Sequence, residues 1–564
     1  MGRDLSRILR PKSIAVIGGG AVARHVIGNC AGIGFTGPVW HVHPTRGNFA
    51  MLSDLPVPPD VAFVGVNRAA TIGIVAALRD MGAGGAVAYA SGFLEASREL
   101  DDGADLQARL LDAAGAMPLI GPNCYGFLNY LDGAGLWPDQ QGGVRVSSGV
   151  AIITQSSNIA INLTMQKRGL PLAYLVTAGN QAQTGLAEIG IGLLDDPRIT
   201  ALGLHIEGIG DIAAFEALAA AARARGKPLV ALKAGRSAQA RAATVSHTAS
   251  LAGSAAGADA LLARLGIAQV ASLSVLLETL KLLHVAGPLA SNRIGSMSCS
   301  GGEASLMADG AVSRDLEFPP LDTAQKSALR AALGPMVALA NPLDYHTYIW
   351  TDTPAMTATY SAMMLGNLGL GAVVADFPRA DRCADADWEP VIDAVVATAH
   401  ASGTPMAIVA SLPETMPELT AARLIELGIA PMCGLDEALA AFEAAAWLGQ
   451  PRGAALPVLI PGDPVAPAVS GEAEGKAALA GFGLDVPRSA RAACLDRVAE
   501  ISRAVGYPQV LKGEGLAHKT EAGAVALNLS TAADAEKAAR AMPCASFLLE
   551  EMITGTIAEL LVGV

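Results

Sequence analysis

Two histidines stand in turns built from small residues: His247 in Ser246-His247-Thr248-Ala249-Ser250-Leu251-Ala252-Gly253, and His518 in His518-Lys519-Thr520-Glu521-Ala522-Gly523. A neutral imidazole can attack phosphorus through one ring nitrogen while the other donates a hydrogen bond to a carboxylate. Glu207 ends the apolar run Leu202–Ile206 and is a carboxylate of the kind needed to brace His247. Two stretches have the composition of a phosphate-receiving helix start, Gln155-Ser156-Ser157-Asn158 and Ser300-Gly301-Gly302-Glu303, each after an apolar run. Free backbone N–H groups and the positive end of the helix dipole favour an anion there. Each feature also has a plain reading, as a structural loop histidine, a solvated glutamate or a simple N-cap.

Other positions suit nucleotide-like ligands. Gly18-Gly19-Gly20 lies between an apolar run and a helical stretch, where bare backbone can approach phosphates; a tight strand-to-helix turn needs the same residues. Pro44 and Arg46 follow the second apolar run. A cation there, in place of the acidic residue that contacts an NAD ribose, suits a cofactor with an extra ribose phosphate. Asn123, in Gly121-Pro122-Asn123-Cys124-Tyr125-Gly126, closes a fifth run, as ligand residue or rigid turn. Lys512 ends a later run, and Glu550 and Met552 fall where an apolar strand would lead into an adenine-contacting hinge, although a core strand with solvated charges reads equally well.

The elements that must position these residues are those of an α/β protein. The 564 residues exceed what one core holds, and 52% hydrophobic with only 4% aromatic residues means Val, Ile, Leu and Ala filling buried strands and helices. Short apolar runs alternate with longer stretches of helical spacing, the pattern of parallel sheets with crossover helices. The spacing predicts a Rossmann-like domain over 1–140, with strands at 13–17, 39–42, 61–66, 85–89 and 118–120. Flavodoxin-like domains follow over 145–287, with strands at 149–154, 172–176, 201–206 and 228–232, and over 290–450, opening with a strand at 293–298. Prolines 451, 457, 461, 464 and 467 mark 451–470 as an extended linker. A last domain spans 471–564, with strands at 508–512, 524–529 and 557–564.

A formal charge of −13, with no basic stripe interleaved with aromatics, argues against nucleic acid. No apolar run is long enough to span a membrane and the first residues lack a signal-peptide core, so a cytoplasmic protein without a membrane partner is expected. Met1-Gly2 with Ser6 matches a myristoylation pattern in form, but Leu5, Ile8 and Leu9 read as one face of a helix. The seven cysteines show no metal-ligand spacing, so no metal site and no disulfide framework is read.

In this order the motifs resemble the NDP-forming acyl-CoA synthetases, fused relatives of ADP-forming acetyl-CoA synthetase and succinyl-CoA ligase. Gly235-Arg236-Ser237 followed by Ser246-His247-Thr248 matches the family's phosphohistidine loop, and Leu204-His205-Ile206-Glu207-Gly208 the strand supplying its orienting glutamate. Ser91-Gly92-Phe93, Gly121 to Gly126, Asn341-Pro342-Leu343-Asp344 and His518 to Glu521 also fall where expected. The resemblance implies a CoA-binding domain, with Gly18, Gly19, Gly20, Pro44, Arg46 and Asn123 toward CoA. It implies two succinyl-CoA-ligase-like domains, with His247 and Glu207 catalytic and Ser156, Ser157, Gly301 and Gly302 receiving phosphate. It further implies a partial ATP-grasp domain, with His518 as a second phosphohistidine and Lys512, Glu550 and Met552 toward ATP.

The reaction so implied joins a carboxylic acid to CoA with release of ADP and phosphate, using Mg2+ in a homodimer. Ser157, Ala249 and Ala522 replace family glycines, and Gly18-Gly19-Gly20 replaces Gly-Ala-Ser. Gly302-Glu303 and Asp344-Tyr345-His346 resemble a bacterial subgroup that takes bulky acids, hydroxycinnamates among them. The alternatives are an inactive CoA- or acyl-CoA-binding module and a nicotinamide-dependent oxidoreductase, against which Arg46 weighs. Family members continue beyond a strand similar to Glu559–Val564 into the half that carries most magnesium ligands. The expectation is that the 564-residue chain alone uses ATP poorly, since metal ions neutralise charge in phosphoryl transfer; normal ATP-dependent turnover by this chain refutes it.

Overall fold

The computed structural model describes residues 3–97, 99–237, 239–240, 255–453, 471–516 and 519–555. His247, His518, the linker 454–470 and the expected strand 557–564 lie outside the described residues. The chain forms two compact units, Met1–Ile460 and Pro461–Val564.

The first unit carries three sheets. The first joins β1 (Ile14–Ile17), β2 (Val39–Val42), β3 (Val61–Val64), β4 (Ala86–Ala88) and β5 (Leu119–Ile120), all parallel, in the order β2-β1-β3-β4-β5. Every residue of β1 and β3 is buried, which is why these runs read as continuously apolar rather than alternating. The second sheet comprises β6 (Phe127–Asn129), β7 (Ala134–Leu136), β8 (Gly149–Thr154), β9 (Leu172–Thr177), β10 (Ile199–Ile206), β11 (Leu229–Lys233) and β12 (Ala268–Gln269), in the order β12-β11-β10-β8-β9-β6-β7. Its β6 and β7 are antiparallel additions against β9, inside the segment that the sequence reading gives to the first domain. At three residues each they are too short to show a period, and Gly126, at φ 102°, turns the chain from the first sheet into the second.

The third sheet is parallel, β14-β13-β15-β16-β17, from β13 (Ile294–Ser298), β14 (Leu343–Asp344), β15 (Leu370–Val374), β16 (Met406–Ala410) and β17 (Ala430–Cys433). The second unit holds an antiparallel sheet, β18-β21-β19-β20, from β18 (Ser489–Ala492), β19 (Gln509–Gly513), β20 (Val525–Leu529) and β21 (Phe547–Glu551). Val498 and Ala535, from helices Val498–Val505 and Ala532–Ala541, pack with Leu511, Phe547 and Leu549 in its core.

Helix Leu273–Ala286 joins the second and third sheets. Its Leu276, Leu280 and Leu283 share one core with Ile152 of β8, Val374 of β15 and Met432 of β17. A helix apolar nearly all round must be buried, and its two charged residues there must be paired. Lys281 and Glu278, both fully buried, pair at 2.9 Å, and Arg168 reaches Glu278 at 2.9 Å. The Lys281 ammonium also donates to the Arg168 carbonyl at 2.9 Å and to Cys433 Sγ at 3.3 Å, while the Cys433 N–H donates to Glu278 at 2.9 Å. Removing one member strands a buried charge, which costs about 3–5 kcal/mol. Glu278→Ala is therefore expected to lower the unfolding free energy of the first unit by about that amount in denaturant titration, whereas Glu389→Ala, at an exposed pair with Arg423, changes it by under about 1 kcal/mol.

Candidate functional site

Parallel strands deliver their loops to a common edge. Where the carboxyl ends of β3, β4 and β5 meet those of β8, β10 and β11, a cavity of about 950 Å³ opens. From the first sheet Asn67, Arg68, Ser91 and Asn123 line it; from the second, Gln155, Ser156, Ser157, His205, Glu207 and Gly235. Thus Asn123, Ser156, Ser157 and Glu207, scattered over eighty-odd positions in sequence, share one cavity. Ala240 also lines it, seven positions before His247.

Ser156 is the N-cap of helix Ser157–Thr164: its hydroxyl accepts from the Ile159 N–H at 3.4 Å, and its own N–H donates to Thr154 Oγ1 at 3.0 Å. Gln155, nearly buried at the end of β8, reaches across to the end of β10. Its Oε1 accepts from the N–H groups of Glu207 and Gly208, the latter at 2.9 Å, and its Nε2 donates to the Gly208 carbonyl at 3.0 Å. Lys233 Nζ donates to the Glu207 carbonyl at 2.8 Å. The Glu207 backbone is therefore held from both sides. Burial lowers the Lys233 ammonium below its ordinary value, and Arg236 adds to this.

His205 is buried and shares a hydrogen with Thr154 Oγ1 at 3.0 Å. Burial, then the nearby Lys233, brings its pKa down to about 4, so it stays neutral near pH 7. Burial pushes the Cys124 thiol up to about 12, which excludes a thiolate. Asn123 takes φ 58°, its N–H donating to the Ala90 carbonyl at 2.9 Å and its side-chain amide to Asn180 at 3.3 Å.

Gly18, Gly19, Gly20, Pro44 and Arg46 gather at the carboxyl ends of β1 and β2, and none of them lines the cavity. Gly18 has a packing role: at φ 135° a Cβ would stand 2.5 Å from the Gly65 carbonyl oxygen. Gly20 leads into helix Ala21–Ile33 with no side-chain cap and open space above it, and Arg46 folds over to donate to the Gly19 carbonyl at 2.6 Å. An uncapped helix start with an exposed guanidinium beside it suits an anionic group. The sequence reading passes over Asn67 and Arg68; the available signal is an asparagine directly after an apolar run, and Asn67 caps helix Arg68–Asp80. Arg68 donates to the Gly92 carbonyl and grips Asp102 at 2.8 and 2.9 Å.

Gly301 and Gly302 lie elsewhere, at the helix start that follows the carboxyl end of β13. Ser300 precedes helix Gly301–Ala311 without a side-chain cap bond, and a Cβ on Gly301 would lie 3.1 Å from Asp344 Oδ2. Glu303, one turn in, has a buried Oε2 without a hydrogen-bond partner among the described residues. Burial, then Asp376 and Asp344, raise its carboxyl to about 7. The two helix starts that look alike in sequence differ electrostatically: this one gathers three carboxyl groups.

In the second unit three ammonium groups converge on two carboxylates. Glu472 takes Lys476 at 2.9 Å, Lys519 at 2.7 Å and Lys512, while Glu550, buried, takes Lys476 and Lys512, the latter at 2.7 Å. Desolvation acts against it, but the lysine hydrogen bonds hold Glu472 down at about 2. Three lysines in one place match the charge of a polyphosphate. Glu550 thus serves the lysines with its carboxylate, and the Met552 N–H donates to the Pro508 carbonyl at 2.9 Å. Among the described residues no group of three or more acidic, imidazole or thiol side chains is arranged to hold a metal, and no helix is long and apolar enough to cross a membrane.

Three family models match the chain: a CoA binding domain over residues 12–130, a succinyl-CoA ligase like flavodoxin domain over 147–283 and an ATP-grasp domain over 468–557. A trans-feruloyl-CoA synthase from an unknown prokaryotic organism is 30% identical over 552 residues, covering 94% of this chain and 77% of the relative. An ADP-forming acetate–CoA ligase of Methanocaldococcus jannaschii is 27% identical over 364 residues, covering 61% of this chain and 49% of the relative, about half its length. The dinucleotide-forming acetyl-coenzyme A synthetase 1 of Ca. Korarchaeum cryptofilum, in complex with phosphate and ADP, superposes with a TM-score of 0.67 at 22% identity, covering 79% of this chain and 97% of that one. At that identity the superposition establishes the fold.

The Glu303 carboxyl has a consequence for pH. Its proton is bound more tightly in the folded chain (about 7) than at the ordinary value of 4.5, so its contribution to stability is complete below 4.5 and is lost as pH rises through 7. Glu303→Gln, which imitates the protonated acid, should melt higher than the parent at pH 8 relative to their difference at pH 5. Parallel melting-temperature curves for the two proteins across that range contradict this.

Proposed function

This chain belongs to the NDP-forming (ADP-forming) acyl-CoA synthetases, the ATP- and CoA-using acid–thiol ligases related to succinyl-CoA ligase, and on that premise we propose that its acid is a bulky aromatic one of the hydroxycinnamate class. The phosphoryl group of ATP passes to His518, from there to His247, and then to the substrate carboxylate. The CoA thiolate attacks the carbonyl of the resulting acyl phosphate, a thioester forms and inorganic phosphate leaves. Dividing the reaction lets each transfer rely on positioning and charge at its own site.

The observation that carries this reading is the cavity wall on which Glu207 stands with the Ser156–Ser157 helix start. In that setting Glu207 accepts the N–H of the His247 ring and keeps the attacking nitrogen unprotonated, while the helix start takes the phosphoryl oxygens. Gly301 and Gly302 form the second phosphate-receiving helix start, beside Glu303, whose carboxyl is raised to about 7. Arg46, beside the open backbone of Gly20, and Asn123 in the cavity fit the anionic and polar parts of CoA. Lys512, with Lys476 and Lys519, fits the nucleotide phosphates; Glu550 positions Lys476 and Lys512, Glu472 holds Lys519, and Met552 continues into the hinge. Mg2+ would supply charge neutralisation during the phosphoryl transfers. A homodimer and a cytoplasmic setting, where CoA and ATP are at hand, complete the proposal.

Incubation with feruloyl-CoA and radiolabelled phosphate should put acid-labile label on His247. His247→Asn should abolish that label, and Glu207→Gln should slow labelling about 100-fold. In the forward direction ferulate should exceed acetate in kcat/KM at least about tenfold, the discrimination an aromatic pocket can supply. Release of AMP and pyrophosphate, or undiminished label in His247→Asn, overturns the reaction class.

A further inference from the structure

We infer that Gln155 is a positioning residue for the phosphoryl carrier, tying the Glu207 backbone to the helix start that receives the phosphoryl group. This rests on the proposed roles of Glu207 and His247. β8 and β10 pair in parallel up to Thr154 opposite His205, and there the backbone ladder ends. The Gln155 side chain carries the connection past that point, with one oxygen accepting from two successive N–H groups and its amide donating to the Gly208 carbonyl at 3.0 Å. The next two residues of its own chain are Ser156 and Ser157. Two elements that must meet the same phosphorus are thereby joined through a single nearly buried carboxamide.

Only an amide at this reach provides both acceptor and donor. Glutamate would set an acceptor against the Gly208 carbonyl, and leucine would leave the two N–H groups and that carbonyl without their partner. The Glu207 carbonyl is separately held by Lys233 at 2.8 Å, so loss of Gln155 frees one side of the peptide and lets it tilt rather than detach. A tilt at this point moves the carboxylate that orients the nucleophile, and displacements of that kind act on rate more than on binding.

The test uses the full chain, feruloyl-CoA and labelled phosphate, with single-turnover labelling of His247 as the readout. Gln155→Leu should slow labelling about 10- to 100-fold while the feruloyl-CoA concentration for half-maximal rate moves less than about threefold. Combined with Glu207→Gln, it should add little to the loss caused by Glu207→Gln alone, because both act on one interaction. A full labelling rate in Gln155→Leu, or losses that multiply in the double variant, overturns the inference. If Gln155→Leu shows no cooperative melting, Gln155→Glu replaces it, and a full rate there is equally fatal. Full activity in Glu207→Gln by itself would instead remove the role given to Glu207, which separates the two failures.

Discussion

Parallel pairing makes every strand of a sheet end at the same edge, and the chemistry of this protein depends on that constraint. A loop after a parallel strand has no ladder partner for its backbone and opens onto a helix start, so polar side chains and free N–H groups collect there. The parallel parts of three sheets give the first unit three such edges. Two of them face a common cavity, and one is lined by carboxyl groups. The same constraint explains why the residues involved are small: Gly18 approaches the Gly65 carbonyl too closely for any Cβ.

Electrostatics then separates sites that share a shape. The helix starts at Ser157 and Gly301 carry the same dipole, but the first shares its cavity with a neutral His205, and the second lies beside Glu303, Asp344 and Asp376. An anion at the second start is compatible with Glu303 only while that carboxyl keeps its proton. In the second unit the balance is reversed, with three ammonium groups against the two carboxylates of Glu472 and Glu550. Burial does similar work inside the first unit, where Arg168, Glu278 and Lys281 tolerate full or partial burial because each meets a partner from another element.

The residue types and their order in this chain already determined the α/β class and the apolar strands at 39–42 and 149–154, which match β2 and β8 residue for residue. Those features are local, since a run buried on both faces or a serine before a helix is legible from neighbours in sequence. The tertiary structure alone decided that β6 and β7 pair with the second sheet, and that Asn67 and Arg68 line the cavity. It also decided that Gly301 lies among carboxyl groups and that the Glu550 carboxylate pairs with Lys476 and Lys512. Each of these rests on contacts between residues far apart along the chain, formed when separate sheet edges are brought together. No period or motif within one segment can report which edge its neighbour will be.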